Sequence, residues 1–230
     1  MIESIKKIFS VPELKSKIIF TLLILAACRV GGFIPVPGIN GDLVVSFFKA
    51  STGGGQNLFQ MVDVFSGGAF SHMTLTALGV IPYISASIIM QLLLALMPGL
   101  QRELKENAEV GRRKLSKWTR VLTLVLSAVQ SFLFARFAYN LNFEKPGIII
   151  SHLTDMKLFG MPIVFYMIVM CSMTAGTLIL MWLGEQISEY GIGNGISLII
   201  TVNILHSLPS AMGSILQQLN LESQEPGQLT

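Results

Sequence analysis

Five stretches of this chain are apolar over lengths that few soluble folds could hide. They run roughly over 18–34, 75–97, 121–141, 161–183 and 196–216. A helix needs about 20 mostly apolar residues to cross about 30 Å of hydrocarbon. Each stretch meets or approaches that length. The second and fourth are the clearest, and the fifth is weakened by Asn203, His206 and Pro209. Charged residues are only 13% of the chain, against about 25% for an ordinary soluble domain. Disorder is excluded, because low hydrophobicity is its precondition. A disulfide scaffold is excluded, because Cys28 and Cys171 are the only cysteines. The expected fold class is an all-α membrane protein with five transmembrane helices.

Basic residues set the expected orientation. Eleven of the sixteen Lys and Arg lie before the first span or between the second and third. The positive-inside rule places both stretches in the cytoplasm. That puts the N-terminus inside and, after five spans, the C-terminus outside. The stretch 102–120 then reads as a basic cytoplasmic loop. Arg29 and Arg136 lie near span ends, where long side chains snorkel to the interface. Residues 220–230 are polar, include Pro226 and Gly227, and read as a linker.

Several motifs mislead. Leu25-Ala26-Ala27-Cys28 resembles a lipoprotein cleavage site, but the apolar run continues to Ile34. Gly191-Ile192-Gly193-Asn194-Gly195 resembles part of a dinucleotide fingerprint, but a long apolar helix precedes it in place of a strand. His72, His152 and His206 lie far apart, and no His/Cys pair has metal-ligand spacing. No span has a carboxylate at its centre, where an ion-coupled carrier usually shows one. No nucleophile motif, cofactor or metal is expected.

Other features carry more information. The segment 59–70 is apolar but too short to cross, and Gly67 and Gly68 break it before the second span. It reads as a re-entrant half-helix or an interfacial helix. Within the second span, Pro82 is expected to kink the helix. Ser85, Ala86 and Ser87 form a small polar patch, and Val80, Ile84 and Ile88 form an apolar stripe. Gln130 sits in the middle of the third span, where a lone amide needs a partner or water.

These residues together resemble a known family. Arg29-Val30-Gly31-Gly32-Phe33-Ile34-Pro35-Val36-Pro37-Gly38-Ile39, Phe65-Ser66-Gly67-Gly68-Ala69, the run 78–93, Gly111-Arg112-Arg113-Lys114 and the run 182–200 stand in the order and spacing of the SecY family. That family comprises the channel subunits of protein translocases, and the resemblance is to its N-terminal half. It implies one half of a ten-span, pseudo-symmetric channel that passes unfolded secretory polypeptides across the membrane and membrane-protein segments into it. By motif position, the pore ring would receive Val80, Ile84 and Ile200. The plug would be 59–70, with Phe59, Met61, Val62, Val64, Phe65, Ser66, Gly67 and Gly68. Ser85, Ser87 and Gln130 would lie at the lateral gate, and Arg112, Arg113 and Lys114 would meet a cytoplasmic partner.

The resemblance also implies partners. They are SecE and SecG subunits, a SecA motor or ribosome, signal-sequence-bearing polypeptides, membrane lipids, and a C-terminal half of the channel. Without that half the chain is not expected to conduct polypeptide. The bacterial cytoplasmic membrane is the expected location. The alternative from the residues alone is a self-contained five-span carrier or membrane scaffold.

Overall fold

A computed structural model describes residues 11–50, 63–99, 101, 108–144, 146–150 and 162–222. These residues form helices and turns, with two isolated β-bridges and no strand. The principal helices are α1 (Pro12–Gly31), α2 (Gly41–Ala50), α3 (Ile81–Leu96), α4 (Ala108–Glu144), α5 (Ile163–Tyr190) and α6 (Gly195–Glu222). By length and composition, α4 and α5 each suffice to cross a membrane; α3 and the Gly195–Pro209 part of α6 are shorter apolar helices.

Two sequence expectations need correction. The second span does not begin at Leu75. Residues 75–80 are turns, and α3 starts at Ile81. Met73 and Gly79 have positive φ, which a right-handed helix cannot contain. Pro82 therefore lies in the first turn of α3, where its missing N–H costs no helical bond. It starts the helix and does not kink it. The stretch 102–120 is not a loop throughout either, because residues from 108 onward belong to α4. Its 37 residues span about 55 Å at 1.5 Å per residue, well beyond about 30 Å of hydrocarbon. Arg112, Arg113, Lys114, Lys117 and Arg120 thus lie on a helix longer than a membrane crossing needs.

Helices α4 and α5 are antiparallel. Arg120 meets Glu185, Ser131 meets Thr174, and Tyr139 meets Tyr166. A hydroxyl stripe, Thr119, Thr123, Ser127 and Ser131, is buried along α4. Each member donates to a carbonyl three or four residues back. Short, self-satisfied side chains let helices approach closely. In hydrocarbon that matters, because burial of apolar surface no longer drives association and packing must do so.

Helices α1 and α6 run parallel. Thr21 Oγ1 accepts from the Ile192 amide beside the start of α6. Eight residues along α1, Arg29 meets Asn203 of α6. Beyond this end, the segment around Pro35 and Pro37 is a series of turns stitched on both sides. Val36 N donates to Met73 O, Leu75 N to Ile34 O, Asn40 N to Ile148 O, and Ile150 N to Gly38 O. Below that cap lies the larger apolar core, centred on Val36, Met73, Ala135, Ile148, Phe165 and Met173.

Candidate functional site

A second, smaller apolar cluster occupies the middle of the molecule. Val80, the residue before α3, is 3% exposed. It packs with Ile24 and Cys28 of α1, Leu180 and Ile187 of α5, and Ile199 of α6. Ile84 and Ile200 are half-buried against the same cluster. The three candidate ring residues therefore share one cluster, although they come from distant parts of the chain. Ile88 continues the stripe but is exposed.

Two hollows open among the described residues. One, of about 650 Å³, is lined by Ile84, Ser87, Gln91, Arg120, Glu185 and Ile200 among others. The other, of about 550 Å³, is lined by Arg29, Asp42, Gly67, Gly68, His72 and His206 among others. Helix α6 touches both, through Ile196, Ser197 and Ile200 in the first and His206 in the second. Residues spaced three or four apart share a helix face. Helix α6 thus reaches both hollows, with Asn203 between Ile200 and His206 in sequence. Val80, Ile84 and Ile200 form a candidate waist of branched apolar side chains, with Ile84 and Ile200 lining the first hollow.

The waist is held by a tight turn between α5 and α6. Asn194 Oδ1 accepts from the Ile196 and Ser197 amides, an N-cap for α6. Ser188 Oγ accepts from the Gly195 amide. The glycine-rich run 191–195, with its superficial likeness to a nucleotide loop, is a helix–helix hairpin. At the mouth of the larger hollow, Arg120 Nε donates to Glu185 Oε1 at 3.0 Å and Nη2 lies 2.9 Å from Oε2. This two-pronged pair clamps α4 to α5. Sequence reasoning gave Glu185 no role, and Arg120 only one of charge.

Of the plug candidates, Phe59, Met61 and Val62 lie outside the described residues. Residues 63–66 form one helical turn, followed by turns through Val80. Ser66 Oγ accepts from Phe70 N, and Asp63 Oδ1 accepts from Ser71 N, so this segment folds back on itself. Val64 and Phe65 are exposed, while Ser66 is buried. The segment is also tied to the helices. Arg29 Nη1 donates to Asn203 Oδ1 at 3.1 Å, and Asn203 Nδ2 donates to the Phe65 carbonyl at 3.2 Å. The amide orientation is forced, since a guanidinium only donates and a carbonyl only accepts. Arg29 read as an interfacial anchor in the sequence. In the folded chain it reaches across to α6, a pairing that no local signal betrays.

The gate candidates Ser87 and Gln130 line different hollows. Ser87 lines the larger hollow and accepts from Gln91 Nε2. Ser85 is half-buried on α3. Gln130 lines a separate apolar hollow of about 340 Å³ with Phe70, Ala77, Leu78, Ile81 and Phe134. Arg112, Arg113 and Lys114 are exposed near the start of α4. Arg113 pairs with Glu109 one turn back at 2.7 Å. Among the described residues, no group of three His, Cys, Asp or Glu side chains could hold a metal ion.

Comparison with known proteins places these features in a family. The SecY family profile matches residues 74–229. Protein translocase subunit SecY of Chlamydia trachomatis serovar D is 57% identical over 225 residues, which is 98% of this chain and 49% of that protein. The SecY subunit of Aquifex aeolicus is 40% identical over 218 residues, 92% of this chain and 47% of its own length. A solved structure described as a protein conducting channel has a similar fold, with a TM-score of 0.54 at 21% identity, covering 87% of this chain and 41% of that one. Sec61 in the canine ribosome-channel complex from the endoplasmic reticulum gives the same values. The chain spans about half the length of the curated relatives it matches.

Proposed function

The chain belongs to the SecY family, and from that premise we propose that it supplies the first five spans of a protein-conducting channel. The observation that carries this reading is the clustering of Val80, Ile84 and Ile200, with Ile84 and Ile200 lining the larger hollow. Branched aliphatic side chains offer water and ions no ligands, so a narrow apolar waist resists both. The same side chains fit many polypeptide sequences, because their contacts are non-directional. No bond is broken, and no catalytic group is required.

Residues 59–70 act as the plug, and Gly67 and Gly68 of that segment line the hollow that Arg29 also lines. Helix α3 carries Ser85 and Ser87, packs against α4, and forms with it this half of the lateral gate, with Gln130 nearby on α4. The exposed basic start of α4 faces the cytoplasm, where Arg112, Arg113 and Lys114 meet a SecA-type motor, ribosomal RNA or anionic lipid. The channel sits in the bacterial cytoplasmic membrane with SecE and SecG subunits and a second half of five spans. Reconstitution tests this reading. Proteoliposomes holding this half, its complementary half, the partner subunits, motor and ATP should protect a secretory precursor from added protease. Protection by this half alone would refute the division of labour, and no protection with both halves would refute the channel reading.

A further inference from the structure

We infer that Asn203 couples the state of the ring to the seating of the plug, with Arg29 as its positioning partner. The inference rests on the channel reading and adds a coupling residue to it. Three observations carry it. Asn203 is 8% exposed. It uses both ends of its amide, accepting from Arg29 and donating to Phe65 O. It also lies three residues beyond Ile200, one turn further along α6.

Gly67 completes the joint. Its φ is +68°, and a Cβ there would run into the Arg29 guanidinium and lie 3.2 Å from Asn203 Oδ1. The plug backbone can therefore seat against this pair only where a side chain is missing. The consequence is mechanical. A polypeptide that widens the waist must push Ile200 aside, and a rigid helix carries Asn203 with it. An outward shift of about half an ångström takes the 3.2 Å bond to Phe65 O beyond useful hydrogen-bond length. Arg29 already lines the hollow of about 550 Å³, so its charge can turn to water when the bond breaks. Release of the plug thus follows ring expansion and requires no separate signal.

The test uses a complete translocase carrying this half, reconstituted in liposomes, with resting ion leak and precursor translocation both measured. Asn203→Asp keeps an acceptor for Arg29 and removes the donor to Phe65. It should raise resting leak about tenfold, the size expected for losing a buried polar contact of about 1.4 kcal/mol. Asn203→Ala should do the same, and Arg29→Ala added to it should raise the leak little further. Gly67→Ala, which alters neither polar residue, should also raise it. Wild-type leak in Asn203→Asp, with precursor still translocated, would overturn the inference. So would strictly additive effects of the Arg29 and Asn203 changes. A wild-type complex that moves no precursor would instead overturn the channel reading beneath it.

Discussion

Gly195→Ala offers a prediction in which two physical arguments give opposite signs. Gly195 is the first residue of α6. Helix propensity alone predicts that alanine stabilises the chain, by up to about 1 kcal/mol. The structure predicts the reverse. A Cβ at Gly195 would overlap the Gly184 carbonyl oxygen and lie 2.8 Å from both the Gly184 carbonyl carbon and Ile187 Cβ. Carbon atoms prefer about 3.5–4.0 Å, so the first turn of α6 must withdraw from α5 by about 1 Å. The obstacle is helix backbone, which cannot rotate aside. Overpacking of this kind costs about 1–3 kcal/mol, and taking the upper value leaves a net loss of about 2 kcal/mol after the propensity gain. Gly193 is the control. Its φ is +76° with nothing within 4 Å of a built Cβ, so Gly193→Ala carries only left-handed strain of about 1–2 kcal/mol. Reversible unfolding in detergent, followed by helical circular dichroism, measures both. A Gly195→Ala variant as stable as wild type, or more so, would refute the close α5–α6 approach that sets Ile200 in the waist.

Two further predictions concern α4 and α5. Thr177 Oγ1 is buried without a hydrogen-bond partner among the described residues, so Thr177→Val should be neutral or stabilising by up to about 1 kcal/mol. A clear fall in unfolding midpoint would reveal a partner. The Arg120–Glu185 pair is half open to solvent on the arginine side, so a double-mutant cycle with Arg120→Gln and Glu185→Gln should give a coupling of only about 0.5–1 kcal/mol, shrinking with added salt. A coupling unchanged at high salt would contradict its placement at an open mouth.

How much of this was legible in the sequence depends on the kind of signal. Long apolar runs located α4 and α5, the two helices long and apolar enough to cross a membrane among the described residues, because length and hydropathy are local properties. Their ends were less legible. The second span was drawn six residues too early because 75–80 is as apolar as the helix after it, and only backbone conformation at Met73 and Gly79 separates turn from helix. The start of α4 looked like a loop because its charges suggested water. Yet Arg, Lys and Glu are good helix formers, and Glu109–Arg113 is a favourable i,i+4 pair. That Val80, Ile84 and Ile200 share one apolar cluster was suggested only by family resemblance, since Val80 and Ile200 are far apart in sequence. Arg29–Asn203–Phe65 was not visible at all. Each residue had a plausible local reading, and their meeting depends on α1 and α6 running parallel.

The most direct test of the central claim is site-specific photocrosslinking from the waist. A photoreactive residue would replace Val80, Ile84 or Ile200 in turn, in a complete translocase engaged with a precursor stalled midway. Val125, exposed on α4 away from both hollows, serves as the lipid-facing control. The predicted result is precursor adducts from all three waist positions, strongest at Ile84, and none from Val125. Precursor adducts absent from every waist position, with translocation intact, would contradict the assignment of this cluster as the surface that closes on a moving chain.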